Sequence, residues 1–186
     1  ISQSGNSAFI IAATLSTNSV GGTELLDLGT NQVSGFTATN TTSGNIRLIN
    51  FGTLNTGTIS NTAPTGFVAI NNSGNTTVTG NIDSIDQIVM LILGSTSTLT
   101  VNGDVTSSAS DVTYNADHMT LVGDSTGNTV NFAPTTVLTT TTDLGGADAP
   151  GVLGLSDAEL NTAHANLLRV YGNSILNVSS AINVLN

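Results

Sequence analysis

The 186-residue chain has no cysteine, no tryptophan and no lysine, and its only basic side chains are Arg47 and Arg169 beside two histidines. Without cysteine there are no disulfides, thiolate metal ligands or thiol redox chemistry, so the fold rests on its core and its backbone hydrogen bonds. Two arginines cannot make the basic surface that nucleic acid demands, nor a polybasic or amphipathic membrane anchor. The longest apolar runs, Ala8–Leu15 and Ile88–Leu93, fall far short of the roughly 20 residues that span a bilayer. No basic stretch followed by a cleavage site opens the chain. Ile1 stands where an initiator methionine would, and the expectation is a mature product or an excised segment.

Charged residues make up 8% and aromatic residues 4%, against about 25% charged in an ordinary globular domain. What fills the space is Thr (31), Asn (22), Ser (20) and Gly (20), together half the chain. These types also dominate flexible linkers, but disorder goes with low hydrophobicity and high charge. Here the hydrophobic share is 38%, mean hydropathy is +0.22 and there are only 3 prolines. Val, Ile, Leu and Thr are spread evenly, which suits half-buried pleated surfaces. The net charge is −10, thinly distributed. No shift in composition marks a domain boundary, so residues 1–186 read as one unit.

The apolar residues arrive in short bursts: Phe9–Leu15, Ile46–Ile49, Phe67–Ile70, Ile88–Leu93, Leu99–Val101, Met119–Val122, Val130–Phe132 and Ile175–Val178. Many alternate with Thr or Asn, as in Thr98-Leu99-Thr100-Val101-Asn102. Period-two alternation between turn residues predicts strands with one buried face, roughly a dozen of them. A degenerate Gly-Asn/Asp element recurs at Gly44-Asn45, Gly80-Asn81, Gly103-Asp104, Gly123-Asp124 and Gly172-Asn173. The spacings fit one or two copies of a unit of about 18–25 residues, within the solenoid range, with the pair at a turn needing a left-handed residue. The expectation is an all-β, right-handed parallel β-helix; an antiparallel β-sandwich also accommodates many short strands.

The β-helix reading accounts for the composition. Stacked coils place equivalent residues about 4.8 Å apart. Thr, Ser and Asn can hydrogen-bond along such a stack, whereas like charges repel at every step. One helical element is expected, from about Asp157 to Ala165. Ser156-Asp157-Ala158-Glu159 is a capping box, followed by an apolar stripe of Leu160, Ala163, Leu167 and Leu168. It reads as a corner or cap over apolar surface.

The segment from Asp143 to Asn183 carries a resemblance. It runs Asp143-Leu144-Gly145-Gly146-Ala147-Asp148-Ala149-Pro150-Gly151, then Leu153-Gly154-Leu155-Ser156-Asp157-Ala158-Glu159-Leu160, then Leu167-Leu168-Arg169-Val170-Tyr171-Gly172 and Ile175-Leu176-Asn177-Val178 with Ala181-Ile182. This resembles a segment of very large bacterial exoproteins of the filamentous-haemagglutinin type and of β-strand-repeat proteins; Asn115–Leu121 looks like the strand that precedes it there. The resemblance implies a right-handed parallel β-helix, export across the bacterial envelope, and a role in adhesion or surface structure. Two departures stand out. No amino-terminal secretion module with Asn-Pro motifs is recognisable, and Thr162-Ala163-His164-Ala165 replaces the more usual Asp-Arg-Ile-Thr type of sequence.

Few residues suggest chemistry. A lyase needs a base and an electrophilic Arg or Lys, and the two arginines lie far apart. A glycoside hydrolase needs converging carboxylates. The pairs on offer are Asp83/Asp86, Asp111/Asp117 and Asp143/Asp148, none of them embedded in aromatic residues that could stack a sugar. Ser-His-Asp chemistry would need His118 or His164. Asp117 adjoins His118, but strand neighbours point to opposite faces, and no Gly-x-Ser-x-Gly elbow is present. His118 reads as a solvent-facing strand residue and His164 as part of the helix. Two histidines do not close a zinc site, and neither a calcium repeat nor an EF-hand loop occurs. Asp104 and Asp124 occupy equivalent corners, so stacking would bring two carboxylates together for a proton or a bridging calcium ion; the alternative is that both are solvated turns. Four Asn-x-Ser/Thr sequons, at Asn40, Asn71, Asn75 and Asn177, are what this composition gives by chance.

The expectation is therefore a non-catalytic, secreted structural or adhesive β-solenoid at the bacterial cell surface, a stalk or filament unit with no cofactor. Its partners would be further copies end to end, neighbouring repeats of the same chain, or host-surface and matrix glycans, with no nucleic acid and no membrane insertion. The rival readings are a polysaccharide-active β-helix enzyme and a calcium-dependent surface-layer-like module.

Overall fold

Ile46-Arg47-Leu48-Ile49-Asn50 shows how the coil is encoded. Ile46, Leu48 and Asn50 point inward and are buried, while Arg47 and Ile49 face out. Val68–Asn72 repeats the pattern, and the two segments pair in parallel, Ile46 beside Val68 and Asn50 beside Asn72. The computed structural model describes residues 1–3, 8–26, 31–92, 94, 96–136, 139–172 and 175–184. Among them the strands are β1 (Ile11–Ser19), β2 (Thr23–Leu25), β3 (Gln32–Asn40), β4 (Ile46–Asn50), β5 (Leu54–Asn61) and β6 (Val68–Asn72). They continue as β7 (Thr76–Val78), β8 (Ile82–Ser84), β9 (Ile88–Ile92), β10 (Thr98–Val101), β11 (Val105–Ser107), β12 (Val112–Asn115), β13 (His118–Leu121) and β14 (Ser125–Ala133). After β15 (Thr141–Leu144) and β16 (Val152–Leu155) comes one helical turn, α1 (Asp157–Leu160), then β17 (Ala163–Val170) and β18 (Leu176–Val178).

All these strand pairings are parallel, which makes the molecule a β-solenoid and sets aside the antiparallel sandwich. Three ladders form three faces. Face one stacks β2, β4, β6, β9, β12 and the second halves of β14 and β17. Face two stacks the first half of β5 with β7, β10 and β13. Face three stacks the second halves of β1, β3 and β5 with β8, β11 and the first halves of β14 and β17. Along face one, Thr23, Ile46, Val68, Ile88, Val112 and Val130 follow at 23, 22, 20, 24 and 18 residues, the unit that the sequence predicts. The smaller sheet β16-β15-β18 is built from the chain between β14 and β17 and from the segment after β17.

The core is the inside of the coil. Ile88, Met90, Val112, Tyr114, Val130 and Phe132 have no exposed surface, and burying each such side chain contributes about 1.5–3 kcal/mol. Tyr114 and Phe132, neighbours in register, stack with ring centroids 5.7 Å apart. The Tyr114 hydroxyl shares a 2.8 Å hydrogen bond with Ser125 Oγ inside the core. At the coil corners, asparagines continue the ladder by side chain. Asn40 Nδ2 donates to Asn61 Oδ1 and Asn50 Nδ2 to Asn72 Oδ1, each at 3.0 Å. This is how Asn is tolerated at inward positions: its amide satisfies the same groups one rung away.

The glycine element divides in two. Gly44 lies between β3 and β4 with φ +79°, the left-handed turn that the sequence predicts. Gly80, Gly103 and Gly123 instead form one column between faces two and three, and none has a positive φ. There the constraint is proximity: a Cβ on Gly103 would lie 2.5 Å from the Gly80 carbonyl oxygen, and one on Gly123 would collide with the Gly103 carbonyl. Asn173, Ser174 and Leu93 lie outside the described residues.

The helix also needs correction. The Ser156–Glu159 capping box is present, but α1 stops at Leu160, and Ala163–Val170 is strand β17. Ala163, Leu168 and their neighbours take a ladder place on β14. Seven residues paired in parallel with β14 outweigh the weak preference of a short apolar stripe for helix. His164 accordingly sits on a strand, above Thr126.

Candidate functional site

Among the described residues the acidic side chains are the main candidates for chemistry, and the structure gives most of them the same task. Asp104 and Asp124 lie on adjacent rungs, as their spacing predicts, just before the paired residues Val105 and Ser125. The Asp124 amide donates to Asp104 Oδ1 at 3.1 Å, and the Asp104 amide donates to Asn81 Oδ1 at 3.3 Å. At the top of this column, His164 Nε2 lies 3.3 Å from Asp124 Oδ1, both side chains about half exposed. Burial and then the neighbouring Asp104 charge raise the pKa of Asp83 above the ordinary aspartate value. Among the described residues no three His, Cys, Asp or Glu side chains converge as a metal site.

Nor do the acids of the three sequence-predicted pairs bond to one another among the described residues. Asp86 accepts the Gln87 amide at 2.9 Å. Asp111 accepts the Thr129 amide one rung up at 3.1 Å. Asp117, buried, accepts the Thr136 amide at 2.8 Å and a short bond from the Thr136 hydroxyl. Asp143 lies on β15 with Oδ1 buried and without a hydrogen-bond partner. A carboxylate that accepts a backbone N–H in a corner continues the ladder where the main chain turns away.

The most elaborate arrangement lies where face two ends. β13 and β16 run side by side but belong to different sheets. Their amides are joined by two carboxylates. Asp148 Oδ2 accepts the Met119 amide and Oδ1 the Gly154 amide, both at 2.8 Å. Two residues further along both strands, Glu159 Oε1 accepts the Leu121 amide at 3.3 Å and Oε2 the Ser156 amide at 3.0 Å. Ser156 Oγ donates to the same Oε2 at 2.7 Å, and the Glu159 amide donates back to Ser156 Oγ. Residues 119 and 121, like 154 and 156, direct their amides to the same side because a strand repeats every two residues. Gly154 is required here, since a Cβ would meet the Ala147 and Asp148 backbone.

Asp148 is enclosed enough for burial to raise its pKa above the ordinary aspartate value. The Gly154 and Met119 amides and His118 oppose that shift, and Glu159 adds to it. His118 Nδ1 lies 3.9 Å from Asp148 Oδ2 with its side chain 17% exposed. It does face outward from its strand, but the loop bearing Asp148 covers it. An open cavity of about 380 Å³ adjoins the seam, between Met119, Thr120, Gly145 and Gly146 and the two carboxylates.

The Ser156–Glu159 capping box and Asp148 are visible in the sequence, but the bridging role of Glu159 and Asp148 is not. A Glu at the third helical position ordinarily bonds back to its own N-cap, and nothing local says that its second oxygen reaches a strand 38 residues earlier. No protein-family model, curated protein or solved structure matches the chain.

Proposed function

We propose that the chain is a rod-forming segment of a secreted bacterial surface protein, a stalk or filament unit with a structural or adhesive role and no catalysis. The observation that carries this reading is the ladder with edges open at opposite ends. Among the described strands β1 pairs only with β3, and β17 only with β14. Each therefore offers a second edge to another parallel strand. Exposed apolar side chains accompany them: Phe9 and Ile11 beside the first, Leu167 and Tyr171 beside the second. Further coils of the same chain, or further copies, have the matching strand direction. The residues of segment 143–183 add export and a surface position through their resemblance to large exoproteins. Contacts with host-surface or matrix glycans would use the polar Thr and Asn exterior.

Negative-stain electron microscopy of the purified chain over a concentration series tests the rod. Short rods that lengthen with concentration are expected. Dispersed particles at every concentration, together with release of reducing sugar from a polysaccharide panel, would replace this reading with that of an enzyme. Antibody labelling of intact source cells tests location, and surface staining is expected.

A further inference from the structure

Both histidines of the chain contact a carboxylate across a rung. His164 reaches down from β17 to Asp124, and His118 reaches from β13 to Asp148. The first pair is about half exposed, whereas the second has side chains 17% and 25% exposed and belongs to the seam that joins face two to the smaller sheet. Exposed pairs of this kind contribute little because water screens them, so the enclosed pair dominates. The charged groups facing Asp148 are His118 from β13 and Glu159 from α1; β16 brings none. Asp117, next to His118 in sequence, is turned to Thr136, and Asp157 accepts the Asn183 amide.

With His118 neutral, the seam holds two neighbouring carboxylates and no countercharge. Its amide bonds offset part of the cost of enclosing them. A proton on His118 places a cation 3.9 Å from Asp148 Oδ2, offsetting the repulsion between Asp148 and Glu159 without removing an amide acceptor. From this geometry we propose that the His118–Asp148–Glu159 cluster is an acid-operated latch, which tightens the docking of β16 and α1 on β13 when His118 is protonated. The sign agrees with Asp148 itself. Burial raises the Asp148 carboxyl above the ordinary aspartate value, so its contribution to the folded seam is present at low pH and is lost as pH rises through the raised value.

Hydrogen exchange of the whole chain tests the latch, read at Met119, Leu121, Gly154 and Ser156 after division by the intrinsic exchange rate. Going from about pH 7.5 to about pH 5.5, across the range in which histidine ordinarily titrates, these four amides are expected to gain roughly three- to tenfold protection. Amides inside β4, β6 and β9 are expected to stay level. His118→Gln should abolish most of the gain, and His164→Gln should leave it intact. Protection that falls on acidification, or a full gain retained in His118→Gln, would overturn the latch. An equal gain throughout the coils would do the same, because it would report global stability and not the seam.

Discussion

Face two is held together in two different ways along its length. From β5 to β13 each rung pairs with the next through a parallel backbone ladder, and Leu54, Val78, Leu99 and Val101 fill the inside without exposed surface. Beyond β13, among the described residues, the hydrogen bonds that carry the same face onward to β16 run through Asp148 and Glu159, each joining an amide of one strand to an amide of the other. The first mode asks only for alternation and a small residue at the corner, so many sequences can write it. The second needs two particular acids at particular places, a glycine at 154 and a capping box to aim Glu159. A solenoid is thus permissive along its ladders and exacting where a ladder is interrupted.

The largest effects are expected where backbone ladders enclose the core. Ile88→Ala opens a cavity in face one between Val68 and Val112, its neighbours on the rungs below and above, and should cost about 2–5 kcal/mol in denaturant unfolding. Because each coil packs on its neighbours, amide protection should fall throughout the coils and not at one rung alone. Gly103→Ala comes next. Its Cβ would press on the Gly80 carbonyl, and a loss of about 1–3 kcal/mol is expected. Gly21→Ala, with nothing within 4 Å of the new methyl, should stay within about 0.5 kcal/mol. Equal losses in both glycine variants would show that the corner column is not a close-approach constraint.

The seam should respond on a smaller and local scale. Asp148→Asn keeps one acceptor oxygen and turns an NH₂ group toward the other amide, leaving Met119 or Gly154 unpaired. A cost of about 1–3 kcal/mol is expected for the unsatisfied donor, partly offset by removal of an enclosed charge. The variant should lose protection at Met119 and Gly154 while β4 and β6 remain protected. It should also flatten one component of the pH dependence. A folded-state pKa above the unfolded value of roughly 3.9 means that Asp148 contributes stability at low pH and loses it as pH rises through the raised value. Loss of the variant's stability on acidification relative to the parent would fit that sign; the opposite trend would reverse the account of the seam.

Legibility in the sequence follows the same division. Burial alternation is written in consecutive residues, so the coil, its unit length and its inward faces could be read from runs such as Ile46–Ile49 and Thr98–Asn102. The Ser156–Glu159 capping box was local enough to read as well. The extent of the helix was not, because the partner that makes Ala163–Val170 a strand is β14, 38 residues away in register. The seam was illegible for a related reason: Asp148 and Glu159 look like an ordinary loop acid and an ordinary capping residue until the edge of β13 is placed beside them. Equivalence of Asp104 and Asp124 could be read, but which group each oxygen accepts could not.

That corner supplies the smallest effect and the finest test of the comparison. The Asp124 amide needs only one oxygen at position 104, and Asp104→Asn keeps one while removing the charge that helps to raise the pKa of Asp83. If Asp104 serves the ladder as Asn81 does one rung below, the variant should fold with unchanged or slightly higher stability, within about 0.5 kcal/mol, and the gain should fade as salt screens the repulsion. A bridging cation predicts the reverse. Calcium would then raise the melting temperature of the parent, by binding only the folded state, and would lose that effect in Asp104→Asn. The two accounts differ in the sign of one substitution and in the response to one ion. Thermal melts of both chains with and without calcium therefore decide whether this acidic corner is a rung of the backbone ladder written in side chains or a site in its own right.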